Sequence, residues 1–381
     1  MVCLVYLVYF VGRVSLVESL MGIYFDQPNK RINQTDKKYH GSPMTNDYRP
    51  MTSKSLIDCH VHLAALPDGD NGCFISPKLL RSPLFRFLLW KHDLSPIHPR
   101  ETNRKYLEHL LTELHTSRHV SKAVLLGMDG FYDQTGLFNR QHTDFLVSND
   151  YVFKTVQAHP EVFLAGPSIN PQRKDAIDEV HRCADAGAVL IKVLPNAQHF
   201  NPADERYRPF YRALAQRKLP FLSHVGYEFS LIGKDQSLGD PDRLRLALDE
   251  GVTVIAAHAC SYGLMFYEKF LPLFHDFAKR YSNFYADISA LTQPHRLKML
   301  LHLRHHPELQ SRLLFGTDYP LSVFHLAAWG RVGFGRLWNM IRTKNRFDRQ
   351  VEVCAGLNLG FRSLADLLPY SPGPKATRDE S

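Results

Sequence analysis

The stretch Ser55-Leu-Ile-Asp-Cys-His-Val-His-Leu63 decides the fold. It is an apolar run that ends in two histidines two residues apart. Side chains of a strand alternate between faces, so His60 and His62 are expected on one face together with Asp58, and Cys59 and Val61 on the other, with Cys59 toward the helices. Two imidazoles on one face at a strand tip are half of a metal site. Four more apolar runs each end at a metal-competent or basic residue. Residues 188–194 carry Lys192, 219–226 carry His224, 252–258 carry His258 and 313–320 carry Asp318.

The spacing of these residues is that of one repeated unit. Lys192 to His224 is 32 residues and His224 to His258 is 34. A βα unit of an eight-fold barrel takes roughly 31 residues. His258 to Asp318 is 60 residues, two units, and residues 283–290 supply the strand between them. His60 to Lys192 is 132 residues, three units with a surplus of roughly 36. Residues 120–126 and 162–169 supply the two strands of that gap, and the Pro- and Gly-containing residues 64–100 account for the surplus as an insertion after the first strand. Helices are expected over 101–118, 144–159, 176–186, 207–217, 242–250, 264–280 and 293–305. The count closes at eight, which predicts an α/β chain folded as a distorted (β/α)₈ TIM barrel. Residues 55–368 would form the barrel, 1–54 an N-terminal extension and 369–381 a disordered tail. Barrel enzymes build their sites at the C-terminal ends of the strands, where His60, His62, Lys192, His224, His258 and Asp318 would share one rim.

Four motifs in this order, Asp58-Cys-His-Val-His62, His224-Val-Gly226, Ala257-His-Ala259 and Phe315-Gly-Thr-Asp-Tyr-Pro320, resemble the amidohydrolase superfamily of metal-dependent hydrolases. Within it they are most similar to the amidohydrolase-related (amidohydrolase 2-like) branch, which contains lactonases and decarboxylases. The resemblance spans roughly residues 55–368. His60, His62 and His224 read as nitrogen ligands of a divalent metal, zinc first, with manganese or iron as alternatives. The resemblance implies that Asp318 both ligates and takes a proton from metal-activated water. His258 has two readings, a ligand of a second ion or a donor that polarises the substrate carbonyl. Lys192 has three: a carboxylated bridge between two ions, as the resemblance implies for two-metal members, a cation for a substrate carboxylate, or a stem packed in the barrel mouth with its amine in solvent. One ion is favoured slightly over two.

The expected activity is hydrolysis of an ester, lactone or amide bond of a small molecule, with Asp318 as general base. The first alternative is non-oxidative decarboxylation of an aromatic or unsaturated acid, and the second is a barrel without catalysis that acts as a binding protein. Phe85, Phe87, Trp90, Phe229, Phe324 and Trp329 in the rim loops suggest a ring-containing substrate, and a net charge of +8 suggests an anionic one. The basic residues are dispersed and no recognition motif accompanies them, which argues against nucleic acid. Asn196, Gln198, His199, Tyr227 and Glu228 are further substrate-contact candidates, with residues 226–240 as a lid. Asp287 is a candidate to orient a ligand; Cys260, on the strand parity of His258, reads as a buried small hydrophobe, with approach to the site as the alternative. The six cysteines form no Cys-x-x-Cys pair, as suits reduced thiols in a cytoplasm. The apolar residues 2–12 fit neither a secretory leader nor a membrane span. They read as a peripheral helix or as an arm against a partner subunit, which would suit a homodimer, or equally as an upstream start not used in the cell.

Overall fold

The computed structural model describes residues 55–231, 234–264 and 267–368. The expectations for 1–54 and 369–381 lie outside the described residues. Eight parallel strands follow in order: β1 (Leu56–His62), β2 (Val120–Leu126), β3 (Phe163–Gly166), β4 (Ile191–Val193), β5 (Phe221–Ser223), β6 (Val254–Ala256), β7 (Phe284–Asp287) and β8 (Leu313–Leu314). Each is followed by a helix: α1 (Pro99–Thr116), α2 (Asn149–Ala158), α3 (Ala176–Asp185), α4 (Arg208–Gln216), α5 (Arg245–Asp249), α6 (Leu271–Arg280), α7 (Leu297–Arg304) and α8 (Arg346–Gly356).

The strands pair as β1-β2-β3 and as β4-β5-β6-β7-β8. Backbone bonds join the two groups at both seams. Val189 and Lys192 donate to the carbonyls of Ala165 and Pro167, linking β3 to β4. At the other seam Cys59 donates to Phe315, His62 to Tyr319, and Asp318 to His60, linking β1 to the end of β8.

Side-chain packing follows the same closure. Ile57 and Cys59 of β1, Val124 and Leu126 of β2, Leu164 of β3, Leu190 beside β4, Leu222 of β5, Ile255 of β6, Tyr285 of β7 and Leu314 of β8 meet in one cluster. Seven strands and the residue before β4 contribute to it, so it is the barrel interior, and Leu364 packs against it from the chain's last described turn. The alternate residues, such as Phe221, Val254, Ala256 and Phe284, join the larger cluster shared with the helices. Burying a leucine of this kind contributes about 2 kcal/mol, so two continuous apolar layers suffice to hold the ring.

Three expectations are corrected. Cys59 faces the barrel interior and not the helices, because the pairing of β1 with β2 shifts register between Asp58 and Val61 and breaks strict alternation. α2 begins at Asn149 rather than 144: the Ser148 side chain caps its N-terminus, and Phe145–Leu146 pair antiparallel with Phe74–Ile75 of the insertion. α6 begins at Leu271 rather than 264, with Pro272 in its first turn, and Leu264 is engaged in a bridge with Tyr267. The insertion after β1 also carries the helices Pro77–Leu80 and Pro83–Lys91.

Candidate metal centre

The six rim residues are brought together by contacts that run through His60. Its ring lies 5.1 Å from that of His62 and 5.3 Å from that of His258, and His258 lies 5.1 Å from His224. Lys192 Nζ is 3.2 Å from His60 Nε2. Asp318 Oδ1 is 3.0 Å from His62 Nε2 and 3.4 Å from His60 Nε2. One ligand atom from each of His60, His62 and Asp318 lies within 4.8 Å of the others, the spacing a single ion requires. The His62 side chain is 34% exposed, whereas those of His60 and Asp318 are 1% and 10% exposed. The centre therefore opens to solvent on the His62 side.

Asp287 is the brace beneath this set. Its Oδ2 lies 2.8 Å from His60 Nδ1, and its Oδ1 accepts from the backbone of His258 at 2.9 Å and of Ser289 at 3.0 Å, as well as from the Ser289 hydroxyl. A carboxylate can only accept here, so His60 donates from Nδ1 and turns a bare Nε2 toward the rim. His258 Nδ1 lies 3.0 Å from the Ser289 carbonyl, which likewise fixes Nδ1–H and leaves Nε2 bare. Neutral His258 is thus a ligand or acceptor toward the centre, and the donor role considered for it does not fit this tautomer.

Asp58 ties the seam. It accepts from the backbone of His60 (2.8 Å) and from the hydroxyl and backbone of Thr317 (2.6 and 3.2 Å). Burial pushes its carboxyl up to about 7 against those hydrogen bonds. Strained backbone marks the same rim: His258, Ala259 and Cys260 have φ of 56°, 50° and 59°, and Asp318 has 65°. Left-handed non-glycine residues cost about 1–3 kcal/mol each, and hydrogen bonds from His258 N to Asp287 and from Asp318 N to His60 O help hold them. Cys260, at the end of this turn, is fully buried in the layer shared with the helices, as a small hydrophobe, its thiol pushed up by burial.

The charges sort by environment. Burial keeps His60, His224 and His258 below the ordinary histidine range, reinforced by Lys192 or Arg296, so they are neutral donors of lone pairs. For Asp318 burial pulls upward, but the hydrogen bond from His62 opposes it and the carboxyl is held well below its ordinary range. Burial lowers Lys192 to about 8. Lys192 is 1% exposed, which rules out an amine in solvent.

Several loop residues serve the scaffold. Asn196 donates to the Gly226 carbonyl and to Gln236 (both 3.1 Å), and Gln236 bonds the backbone of Glu228. Gln198 braces Leu194 and Ser168. His199 takes a left-handed turn against Phe131. The described residues of 226–240 are therefore laced to the loop after β4, with Gly226 N bonded to Gly239 O. Gly226 has φ +81°, and a Cβ there would meet the carbonyl of Ser261. We expect Gly226→Ala to destabilise the protein by about 1–3 kcal/mol, read as a lower urea midpoint. Of the rim aromatics, Phe324 is wholly buried in the core, whereas Trp90 is 75% exposed.

Arg296, Ser289 and His295 had no signal in the strand pattern, because they follow β7, a strand with no histidine or lysine at its tip. Arg296 is buried, anchored to the carbonyls of Ser261 (3.1 Å) and Tyr227 (3.3 Å), and its charge acts on His224, His258 and Asp318. His295 is half-buried at the same loop, held down to about 3 by burial.

Whether a metal suits this centre is tested by its unsatisfied atoms. His224 Nε2 is buried without a hydrogen bond, and Glu228 Oε2, at 3.7 Å, is too far to supply one. An orphaned buried nitrogen costs about 1–3 kcal/mol, which a cation would relieve. His60, His62 and Asp318 converge on one point with His258 and His224 alongside, and imidazoles with a carboxylate are the donor set of zinc and similar ions. The residues fit.

Comparison with known proteins agrees with this architecture. An uncharacterised TIM-barrel protein from Bordetella bronchiseptica superposes with a TM-score of 0.52 at 17% identity, covering 78% of this chain and 99% of that one. A 2,6-dihydroxybenzoate decarboxylase from Rhizobium gives 0.47 at 14% identity, over 80% of this chain and 99% of that chain. A putative 2-pyrone-4,6-dicarboxylic acid hydrolase from Pseudomonas putida gives 0.45 at 14%, over 81% and 99%. The comparison with curated proteins gave no match. The amidohydrolase family profile matches residues 57–332, from the first barrel strand past the strand-eight aspartate, and the chain belongs to that family.

Proposed function

We propose that this protein is a metal-dependent hydrolase that opens an ester, lactone or amide bond of a small anionic substrate, with Asp318 as general base. The observation that carries this reading is the ionised Asp318 carboxylate set against His62 and His60 at the solvent-facing side of the centre. His60, His62, His224 and Asp318 would hold the ion. A divalent ion there would act as a Lewis acid, polarising the scissile carbonyl and lowering the pKa of water toward roughly 7. That acidity is needed, because a carboxylate held below its ordinary range is too weak a base for bulk water. Asp318 Oδ1 takes the proton of the attacking water and returns it to the leaving oxygen or nitrogen. Asp287 keeps His60 in the Nδ1–H tautomer throughout, and Lys192 offers positive charge to the carbonyl oxygen as it gains negative charge.

The decarboxylase reading is favoured by a different observation, two buried cations, Lys192 and Arg296, whose charges reach the centre. Either cation suits a substrate carboxylate. Arg296→Met is expected to raise KM for an anionic substrate roughly ten- to hundredfold with a smaller change in kcat, while Arg296→Lys retains part of the affinity. Steady-state kinetics with both variants check this. Turnover in ¹⁸O-water separates the chemistries: hydrolysis leaves one solvent oxygen in the product, whereas decarboxylation releases CO₂ and leaves solvent hydrogen on carbon.

Elemental analysis of the purified chain tests the reading as a whole. Two ions at the rim would favour a bridging, carboxylated Lys192, and one would leave Lys192 as a cation for the substrate. None, after reconstitution with zinc or manganese, would sink it. The place of action is proposed to be the cytoplasm, supported by the five buried, unpaired cysteines of the described residues. Among those residues no helix is long and apolar enough to cross a membrane.

A further inference from the structure

A second histidine cluster lies on the outer layer, away from the rim. It joins His275 of α6, His302 of α7 and His306, which follows α7 by two residues. His302 and His306 are four residues apart, the spacing that sets two side chains on one side of a helical turn. Their rings lie 4.1 Å apart, and His275 lies 5.2 Å from one and 4.9 Å from the other. One ring nitrogen from each residue falls within 4.8 Å of the other two, and all three residues are half-buried.

Two details of the cluster point to a ligand. His275 Nε2 and His302 Nε2 face each other at 2.9 Å. Two ring nitrogens that close cannot both carry a proton, so one presents a bare lone pair to the other. His306 Nδ1 lies 2.8 Å from Glu308 Oε1, which makes Nδ1 the donor and leaves Nε2 bare. This is the carboxylate–histidine pairing that orients metal-bound imidazoles. Ligands of a tetrahedral zinc at roughly 2.0–2.1 Å lie roughly 3.3 Å apart, so the His275–His302 pair would open by a few tenths of an ångström to admit an ion in place of the shared proton.

We propose that His275, His302 and His306 form a second metal site, for one borderline divalent ion such as Zn²⁺, that clamps α6 to α7 on the outside of the barrel. Three imidazoles leave a fourth position for water, and ion capture adds its binding free energy to the folded state.

Zinc is the probe. The full chain and the variants His302→Gln and His306→Gln are equilibrated with micromolar zinc, and bound metal is measured by elemental analysis. Each variant is expected to bind one zinc fewer per chain than the unaltered protein, and zinc is expected to raise its melting temperature less. Because the readout is a difference, it is independent of how many ions the rim holds. Equal stoichiometry in all three proteins overturns the proposal. A zinc-edge anomalous map of crystals of the unaltered protein needs no variant. A peak among the three rings supports the site, and peaks at the rim alone overturn it.

Discussion

Asp318→Asn is expected to lower kcat/KM by roughly 10²- to 10⁴-fold while the fold stays intact. The substitution keeps the size of the side chain and removes its charge. It thereby removes the base in contact with His62 and His60, and the anionic member of the donor set. The backbone of residue 318 is held independently, by its N–H to the His60 carbonyl and its carbonyl from Leu321 N, so its left-handed turn should survive. The check is kcat/KM alongside thermal melting and metal content. Activity within tenfold of the unaltered protein, with metal retained, would sink the role of Asp318 as base. Unchanged behaviour in every assay would favour a barrel that only binds.

Asp287→Ala should weaken metal binding by about 10- to 100-fold, the usual effect of removing the partner that orients a ligating histidine. It should also destabilise the fold. The carboxylate accepts from His60 Nδ1, His258 N, Ser289 N and the Ser289 hydroxyl, all buried, and each orphaned donor costs about 1–3 kcal/mol. Loss of the His258 bond would further release the left-handed turn at 258–260. Competition against a chromophoric chelator measures the first effect and urea unfolding the second. If metal affinity stays within threefold, Asp287 is a structural brace only.

The barrel was legible because its strands are short apolar runs at a nearly constant interval, each ending in a residue that apolar packing alone would not select. Lys192, His224, His258 and Asp318 stood out for that reason. What failed was local alternation. A register shift in β1 turned Cys59 inward, and three left-handed residues, 258–260, break the strand pattern after β6. Neither event has a period-two signature, since both are backbone irregularities set by partners far along the chain. Helix starts were misjudged where a cap or a proline overrode apolar periodicity, at Ser148 and Pro272. Arg296 and Ser289 were invisible for another reason. Their importance comes from reaching residues on neighbouring strands, and a single sequence records no such pairing.

The Asp58–Thr317 hydrogen bonds join residues 259 apart in sequence, and the metal centre lies on that junction. During synthesis at 5–20 residues per second, His60 and His62 would wait roughly 13–50 s for Asp318 to be made. Until then a nascent chain holds a pair of imidazoles with no carboxylate opposite and no neighbour on the open side of β1. A polypeptide stopped short of β8 therefore has seven strands and an incomplete donor set. Tight capture of the ion becomes a report that the ring has closed, and ring closure, with its long loop entropy, is the step expected to govern how quickly the newly made enzyme matures.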